Sequence, residues 1–202
     1  MSQAESKRTG TIHRETRETN IQITIALDGS GQSQIECPVK FLGHMVDQLA
    51  RHGGFDIQLD ATGDVEVDAH HTVEDIGIAL GMAMRDALGE LKGIERFGFA
   101  QCPLDESLAN ATVDICGRAH ATVNHPRVPD MVGDLPTELF DHFIQSLAQN
   151  LQATIHVNVL YGQNGHHMIE ASFKSLARAL KQAVRRTADP NQVPSTKDVL
   201  GS

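Results

Sequence analysis

The sequence is poor in aromatic residues, 4% in all, with no Trp and one Tyr. A nucleic-acid module built on base-stacking platforms is not expected from such a chain. Positive charge is also scarce: 17 Lys and Arg stand against 26 Asp and Glu, a net charge of -9. That disfavours a general binder of phosphate backbones. No apolar run approaches the roughly 20 residues that cross a bilayer, so no membrane partner is expected. Met1 to Gly10 is polar and lacks an apolar core, so no secretory signal is expected. Cysteine is sparse too. Cys37, Cys102 and Cys116 form no C-x-x-C pair, which argues against a disulfide scaffold and for a reducing cytoplasm.

What the chain does have is histidine: 11 residues, including the doublets His70-His71 and His166-His167. It also repeats itself. Glu18-Thr19, followed by an alternating run to Gly29, matches Glu106-Ser107 and its run to Gly117 at an offset of 88 residues. Phe41 to Ala50 matches Leu139 to Ala148 at 98, and His70-His71-x-x-Glu74 matches His166-His167-x-x-Glu170 at 96. An internal repeat of this length means two half-chains on one plan, 8–93 and 94–187, followed by a tail, 188–202.

Periodicity gives the plan. Ile21, Ile23, Ile25 and Leu27 alternate with polar residues, as do Phe55, Ile57 and Leu59, then Val113 and Ile115, then Ile155, Val157 and Val159. These read as half-buried strands. Leu42, Met45, Val46 and Leu49 form a helical stripe, and so do Ile76, Leu80, Ala83, Ala87 and Leu91. Leu139, Phe143 and Leu147, then Ile169, Phe173, Leu176, Leu180 and Val184, repeat both stripes. Each half reads as strands, helix, strands, helix. The expected fold is α+β, an internally duplicated two-layer sandwich.

A helix that starts near a doublet puts His70 and Glu74 four residues apart on one face, and likewise His166 and Glu170. That spacing lets an imidazole and a carboxylate hold one ion. The second His of each doublet, His71 or His167, lies about 100° further round the helix. His44 and His142 occupy matching positions on the other helices. Six His and two Glu suit two ions of about four protein ligands each. Imidazole and carboxylate without thiolate favour Mn, Fe, Zn or Ni. Pseudo-symmetry assigns His70, Glu74, His142 and His167 to one ion, and His166, Glu170, His44 and His71 to the other. His13, His120, His125 and His156 read as ordinary surface or core histidines.

His44, Gln48 and His52 form a polar stripe opposite the apolar face of their helix, which suits a substrate wall. Lys174 follows Glu170 by four residues and lies on the same side of its helix. Arg96 and Arg118 flank strand-like segments. A local basic set beside ion ligands suits a phosphorylated small molecule. Arg178, Lys181, Arg185 and Arg186 read instead as a solvated face near a helix C-terminus, where cations are favoured.

The motifs taken together resemble the imidazoleglycerol-phosphate dehydratase family, lyases of histidine biosynthesis. They are Arg17-Glu18-Thr19, Phe41-Leu42-x-His44-Met45-x-Asp47-Gln48-Leu49, Asp68-x-His70-His71-Thr72-x-Glu74-Asp75, Gly93-Ile94-x-Arg96-Phe97-Gly98, Gly165-His166-His167-x-x-Glu170-x-x-Phe173-Lys174 and Pro194-Ser195-Thr196-Lys197. The resemblance implies a duplicated fold of the kind found in ribosomal protein S5 domain 2. It implies two manganese ions per active site, other divalent metals being acceptable. It further implies a homo-oligomer of twenty-four subunits with shared active sites.

The implied reaction removes water from imidazole glycerol phosphate to give imidazole acetol phosphate, through a metal-bound imidazolate and a diazafulvene-like intermediate. His44, His70, His71, Glu74, His142, His166, His167 and Glu170 are the implied ion ligands. Glu18, His71 and His167 are expected at the reacting centre, with Gln48 and His52 positioning substrate. Arg96, Arg118, Lys174, Ser195 and Lys197 are the expected phosphate clamp, closed by the ordering of the tail. A metal store accounts for the His and Glu set but not for Gln48, Lys174 or the Ser195-Thr196-Lys197 tail. A binuclear hydrolase of a phosphorylated substrate would more usually carry Asp-rich ligation and a bridging carboxylate.

Overall fold

The computed structural model describes residues 7–200, so the first six residues of the polar leader and the last two of the tail lie outside the described residues. The first half contains β1 (Thr9–Glu15), β2 (Thr19–Ala26), β3 (Ser33–Glu36), α1 (Lys40–Gly53), β4 (Asp56–Gly63) and α2 (His70–Leu88). The second contains β5 (Phe97–Leu104), β6 (Ser107–Asp114), β7 (His120–Asn124), a small hairpin of β8 (Met131–Val132) and β9 (Leu135–Pro136), α3 (Glu138–Leu151), β10 (Thr154–Tyr161) and α4 (Gly165–Ala183). The expected duplicated α+β fold is what the chain forms. The order of elements needs one correction. Three sheet strands precede the first helix of each half, with the β8–β9 hairpin besides in the second, and a single strand separates its two helices, because the edge strands carry too few buried residues to show in the pattern.

The sheets have identical wiring. Their orders are β1-β2-β4-β3 and β5-β6-β10-β7. The last-added edge strand runs parallel to its neighbour in both, β3 to β4 and β7 to β10, and the other pairs are antiparallel. The hairpin β8-β9 belongs to the second half alone. Alternation decides the register: Ile21, Ile23 and Ile25 of β2 are at most 1% exposed, and so are Ala109, Ala111 and Val113 of β6. A one-residue slip would turn either row to solvent.

Each helical stripe covers its own sheet, and the helices of one half meet those of the other. α1 packs on α4 and α2 on α3, so one core runs through both halves with the sheets outside. Two glycines make the close strand–helix approach. A Cβ on Gly10 would lie 2.0 Å from the Ala83 carbonyl oxygen, and one on Gly98 would lie 1.9 Å from that of Ala179. These are equivalent positions in the two halves, and any side chain at either would push the edge strand off its helix. No helix among the described residues is long and apolar enough to cross a membrane.

Candidate metal centres

The crossed helix packing brings each doublet to the lone histidine of the opposite half. At the start of α4 the Asn164 side chain accepts from the amides of His166 (2.9 Å) and His167 (3.4 Å), which fixes the doublet on the first turn. His166 Nε2 then lies 2.9 Å from Glu170 Oε2. The start of α1 has no capping side chain of its own, since Val39 precedes it. Asp134, from the β8–β9 turn of the other half, accepts from the amides of Lys40 (2.6 Å) and Phe41 (2.8 Å) instead. One turn further on, His44 Nε2 sits 3.2 Å from Glu170 Oε2. The Phe41 ring meets the His166 ring edge-on at 5.0 Å. Ligand atoms of His44, His166 and Glu170 all lie within 4.8 Å of one another.

The same group recurs at α2 and α3. His70, Glu74 and His142 also bring their ligand atoms within 4.8 Å of one another. The His70 and His142 ring centroids are 4.5 Å apart. His142 Nε2 is buried and makes no hydrogen bond among the described residues, although Glu74 Oε1 is 3.3 Å away. A buried imidazole nitrogen without a partner is a deficit that a cation would remove. Two imidazoles and a carboxylate without thiolate fit a borderline divalent ion. At the other centre, burial pushes the Glu170 carboxyl up, but the Lys174 ammonium and the His166 and His44 imidazoles outweigh it and hold it at about 2. Lys174 Nζ is 2.7 Å from Glu170 Oε1.

The second members of the doublets turn away. The rings of His70 and His71 are inclined by 80° and those of His166 and His167 by 84°. His71 Nδ1 faces Asp64 Oδ2 at 3.3 Å and Glu18 Oε2 at 3.4 Å. His167 Nδ1 faces Glu106 Oε2 at 2.8 Å. Of each expected set of four ligands, one chain thus gathers three, and neither His167 nor His71 joins the set assigned to it within that chain. Asp64 raises the His71 pKa and Glu106 raises that of His167. Reasoning from sequence missed Glu106 and Asp64. The signal for Glu106 was present, because it stands 88 residues after Glu18 in the matched repeat.

The remaining candidates divide between two places. Gln48 Oε1 lies 3.1 Å from His52 Nε2 on α1. Burial first, then the charge of Lys174, lowers the His52 pKa and favours the neutral imidazole. Arg96, Arg118, Ser195 and Lys197 line a cavity of about 630 Å³ under the tail, and Lys174 is not among its lining residues. Arg96 donates from Nε and Nη2 to Asp114 (2.7 and 3.1 Å) and from Nη1 to the Pro194 carbonyl (2.6 Å), which ties the tail to the second sheet. Arg118 and Lys197 are exposed. This cavity lies by Asp114, at one end of β6, while Glu106 and His167 lie at the other. Seven residue steps along that strand span about 23 Å.

His13, His120, His125 and His156 stand apart from both centres, His13 on Asn20, His125 on Asp141, and the other two facing each other across the second sheet. Arg178, Lys181, Arg185 and Arg186 form an exposed face, as expected.

Fold and site define an internally duplicated α+β protein with two pseudo-symmetric imidazole–carboxylate centres, each shared between its halves. The family model for imidazoleglycerol-phosphate dehydratase matches residues 37–180. The imidazoleglycerol-phosphate dehydratases of Geobacter sulfurreducens and Geobacter metallireducens are each 50% identical to the chain over 194 residues, covering 96% of it and 99% of the relative. Among solved structures, the enzyme from Staphylococcus aureus superposes with a TM-score of 0.80 at 34% identity, covering 89% of this chain and 99% of that one. The enzyme from Pyrococcus furiosus gives 0.81 at 36%, covering 94% and 100%. The chain belongs to the imidazoleglycerol-phosphate dehydratase family, and it is a dehydratase of histidine biosynthesis.

Proposed function

We propose that the chain converts imidazole glycerol phosphate to imidazole acetol phosphate with two manganese ions, in the cytoplasm, as a homo-oligomer of twenty-four subunits whose active sites are shared. The observation that carries the reading is the pair of equivalent triads, His44-His166-Glu170 and His70-Glu74-His142, each with ligand atoms inside 4.8 Å. These triads would hold the ions, with His71 and His167 completing sets in neighbouring copies. When bound, a divalent ion lowers the pKa of an imidazole ring that meets it and makes that ring a better electron source.

The chain's own residues do the rest. Hydroxide leaves the carbon attached to the ring, and the proton leaves the next carbon. The resulting enol becomes the ketone. Glu18, with its side chain 54% exposed beside His71, moves a proton. His52, Gln48 and Lys174 orient the substrate against the His44 centre. Arg118, Ser195 and Lys197 grip the phosphate, while Arg96 holds Pro194 and so closes the tail over it.

Scale supports the sharing of sites between subunits. A small substrate cannot reach across about 23 Å of strand from the tail cavity to the His167 end of the same half. A reducing compartment agrees with three buried, free cysteines.

The test is turnover of imidazole glycerol phosphate after chelation and after manganese is restored, following ketone and free phosphate together. Manganese-dependent ketone without phosphate release is expected. Phosphate release would favour a hydrolase. Tight manganese binding without turnover would favour a metal store.

A further inference from the structure

We infer that Glu106 and Asp64 are positioning residues for the two ion sites: each accepts the Nδ1 proton of the second histidine of its doublet and so leaves Nε2 bare for an ion. This rests on the proposed ligand roles of His167 and His71. A carboxylate can only accept, so the nitrogen it faces must carry the proton. Glu106 Oε2 lies 2.8 Å from His167 Nδ1, and Asp64 Oδ2 lies 3.3 Å from His71 Nδ1. The acid nearest to His167 Nε2, Asp105 in an exposed turn, is 4.0 Å away. An outer acid that sets the tautomer and basicity of a ligating imidazole is a recurrent device of metal centres.

The two acids are not repeat equivalents, and that is informative. Glu106 is the counterpart of Glu18. Glu18 lies 3.4 Å from His71 Nδ1 and makes no hydrogen bond to it, Asp64 doing so instead. Asp64 comes from the six-residue loop 64–69 between β4 and α2. The equivalent loop, 162–164, has three residues, Gly162, Gln163 and Asn164, and no acid. Glu106 therefore serves twice there: Oε2 meets His167, and Oε1 accepts from the amides of Gln163 (3.2 Å) and Asn164 (2.9 Å). The longer first loop supplies a substitute and releases Glu18. Its side chain is 54% exposed against 36% for Glu106. One half thus fixes its ligand with the repeat glutamate, and the other fixes it with Asp64 and keeps the glutamate for substrate.

The test is a manganese titration of the assembled protein after chelation, with the ions bound per chain counted. Glu106→Gln retains an Oε1 for the two loop amides but sets an NH2 group against Nδ1. His167 must then carry its proton on Nε2, where an ion would bind. Asp64→Asn does the same to His71. Each variant is expected to lose about 10- to 100-fold in affinity for one of the two ions, with an unchanged Tm when ion-free. Glu18→Gln is expected to bind both ions as the wild type does. Wild-type affinity in Glu106→Gln and Asp64→Asn overturns the inference. A wild-type protein that binds no manganese overturns the underlying reading as well. If a variant does not fold, nitrogen-15 spectra of the histidines in ion-free wild type at about pH 9, where imidazole is neutral, decide the matter. Protons on Nδ1 of His71 and His167 are expected, and protons on Nε2 contradict the inference.

Discussion

Across the repeat, bulk has moved between layers. The inward row of the first sheet is Ile21, Ile23 and Ile25, and that of the second is Ala109, Ala111 and Val113. On the helices the exchange runs the other way: Leu42, Met45 and Gly77 have Phe140, Phe143 and Phe173 as their counterparts. Packing density has to be restored locally whenever side chains shrink, and each half has done so in its own way. The ligand positions did not drift. His44 and His142, His70 and His166, and Glu74 and Glu170 remain equivalent in place and in grouping. The loops that touch those ligands did drift, and there the halves differ in length, in capping and in the acid offered to a histidine. A duplicated scaffold can thus hold two similar centres while its halves differ in the acid that faces a histidine.

The largest effect expected from this asymmetry is on Glu18. Glu18→Gln should lower kcat by about 10²- to 10⁴-fold, the range for a lost proton-transfer group, with manganese content unchanged. Near-normal turnover would remove Glu18 from the chemistry and make the two repeat glutamates equal again.

Truncation after Asp189 should come next. It removes Ser195 and Lys197, and two charge-assisted bonds of about 1.5 kcal/mol each, the low end of their range, imply a KM raised about 100-fold at constant metal content. Its sharpening control is Arg8, the repeat counterpart of Arg96, whose Nη1 donates to the Val184 carbonyl at 2.7 Å rather than to the tail. Arg8→Ala should lower Tm without moving KM, as steady-state kinetics on both variants would show.

A smaller effect is expected at the cap that one half lends the other. Asp134→Ala strips both acceptors from the start of α1, at about 1 kcal/mol, or about 2–4 °C in Tm for a chain of this size. Manganese should weaken at the His44 centre and not at the His70 centre, because Asp134 accepts from the start of α1, which carries His44, and has no hydrogen bond to α2 or α3 among the described residues. Equal weakening at both would show that the cap acts on the whole fold.

The smallest effect concerns Asp56. Amides of Ser30 and Gln32 hold its carboxyl down at about 2 from an ordinary 3.8. Its repeat counterpart is Thr154, which cannot titrate. A depressed folded pKa means that the stabilisation is complete above about pH 4 and fades as pH falls towards 2. Urea unfolding of ion-free protein across that window should show the loss, and Asp56→Asn should flatten it. An unchanged slope would rule out this latch.

The repeat, the fold class and the eight candidate ligands were legible because they are local. A helical i, i+4 pair or an alternating strand declares itself within ten residues. What stayed hidden depends on long-range packing. Nothing near His44 says that its partner will be Glu170, since that follows from α1 crossing onto α4. Nothing near Val39 says that Asp134 will cap the helix. The family resemblance implies a phosphate clamp in the tail, but the role of Arg96 in tying it down through Pro194 depends on a contact between residues 98 apart in the chain. Glu106 was visible as a repeat position and passed over, because its use differs from that of Glu18.

The most direct measurement is a crystal structure of the manganese-loaded protein with anomalous scattering recorded at the manganese edge. The account predicts two peaks per chain, one among His44, His166 and Glu170 and one among His70, Glu74 and His142. Each would be completed by Nε2 of His71 or His167 from a neighbouring copy. A single peak, or ions bound away from these two triads, would contradict it.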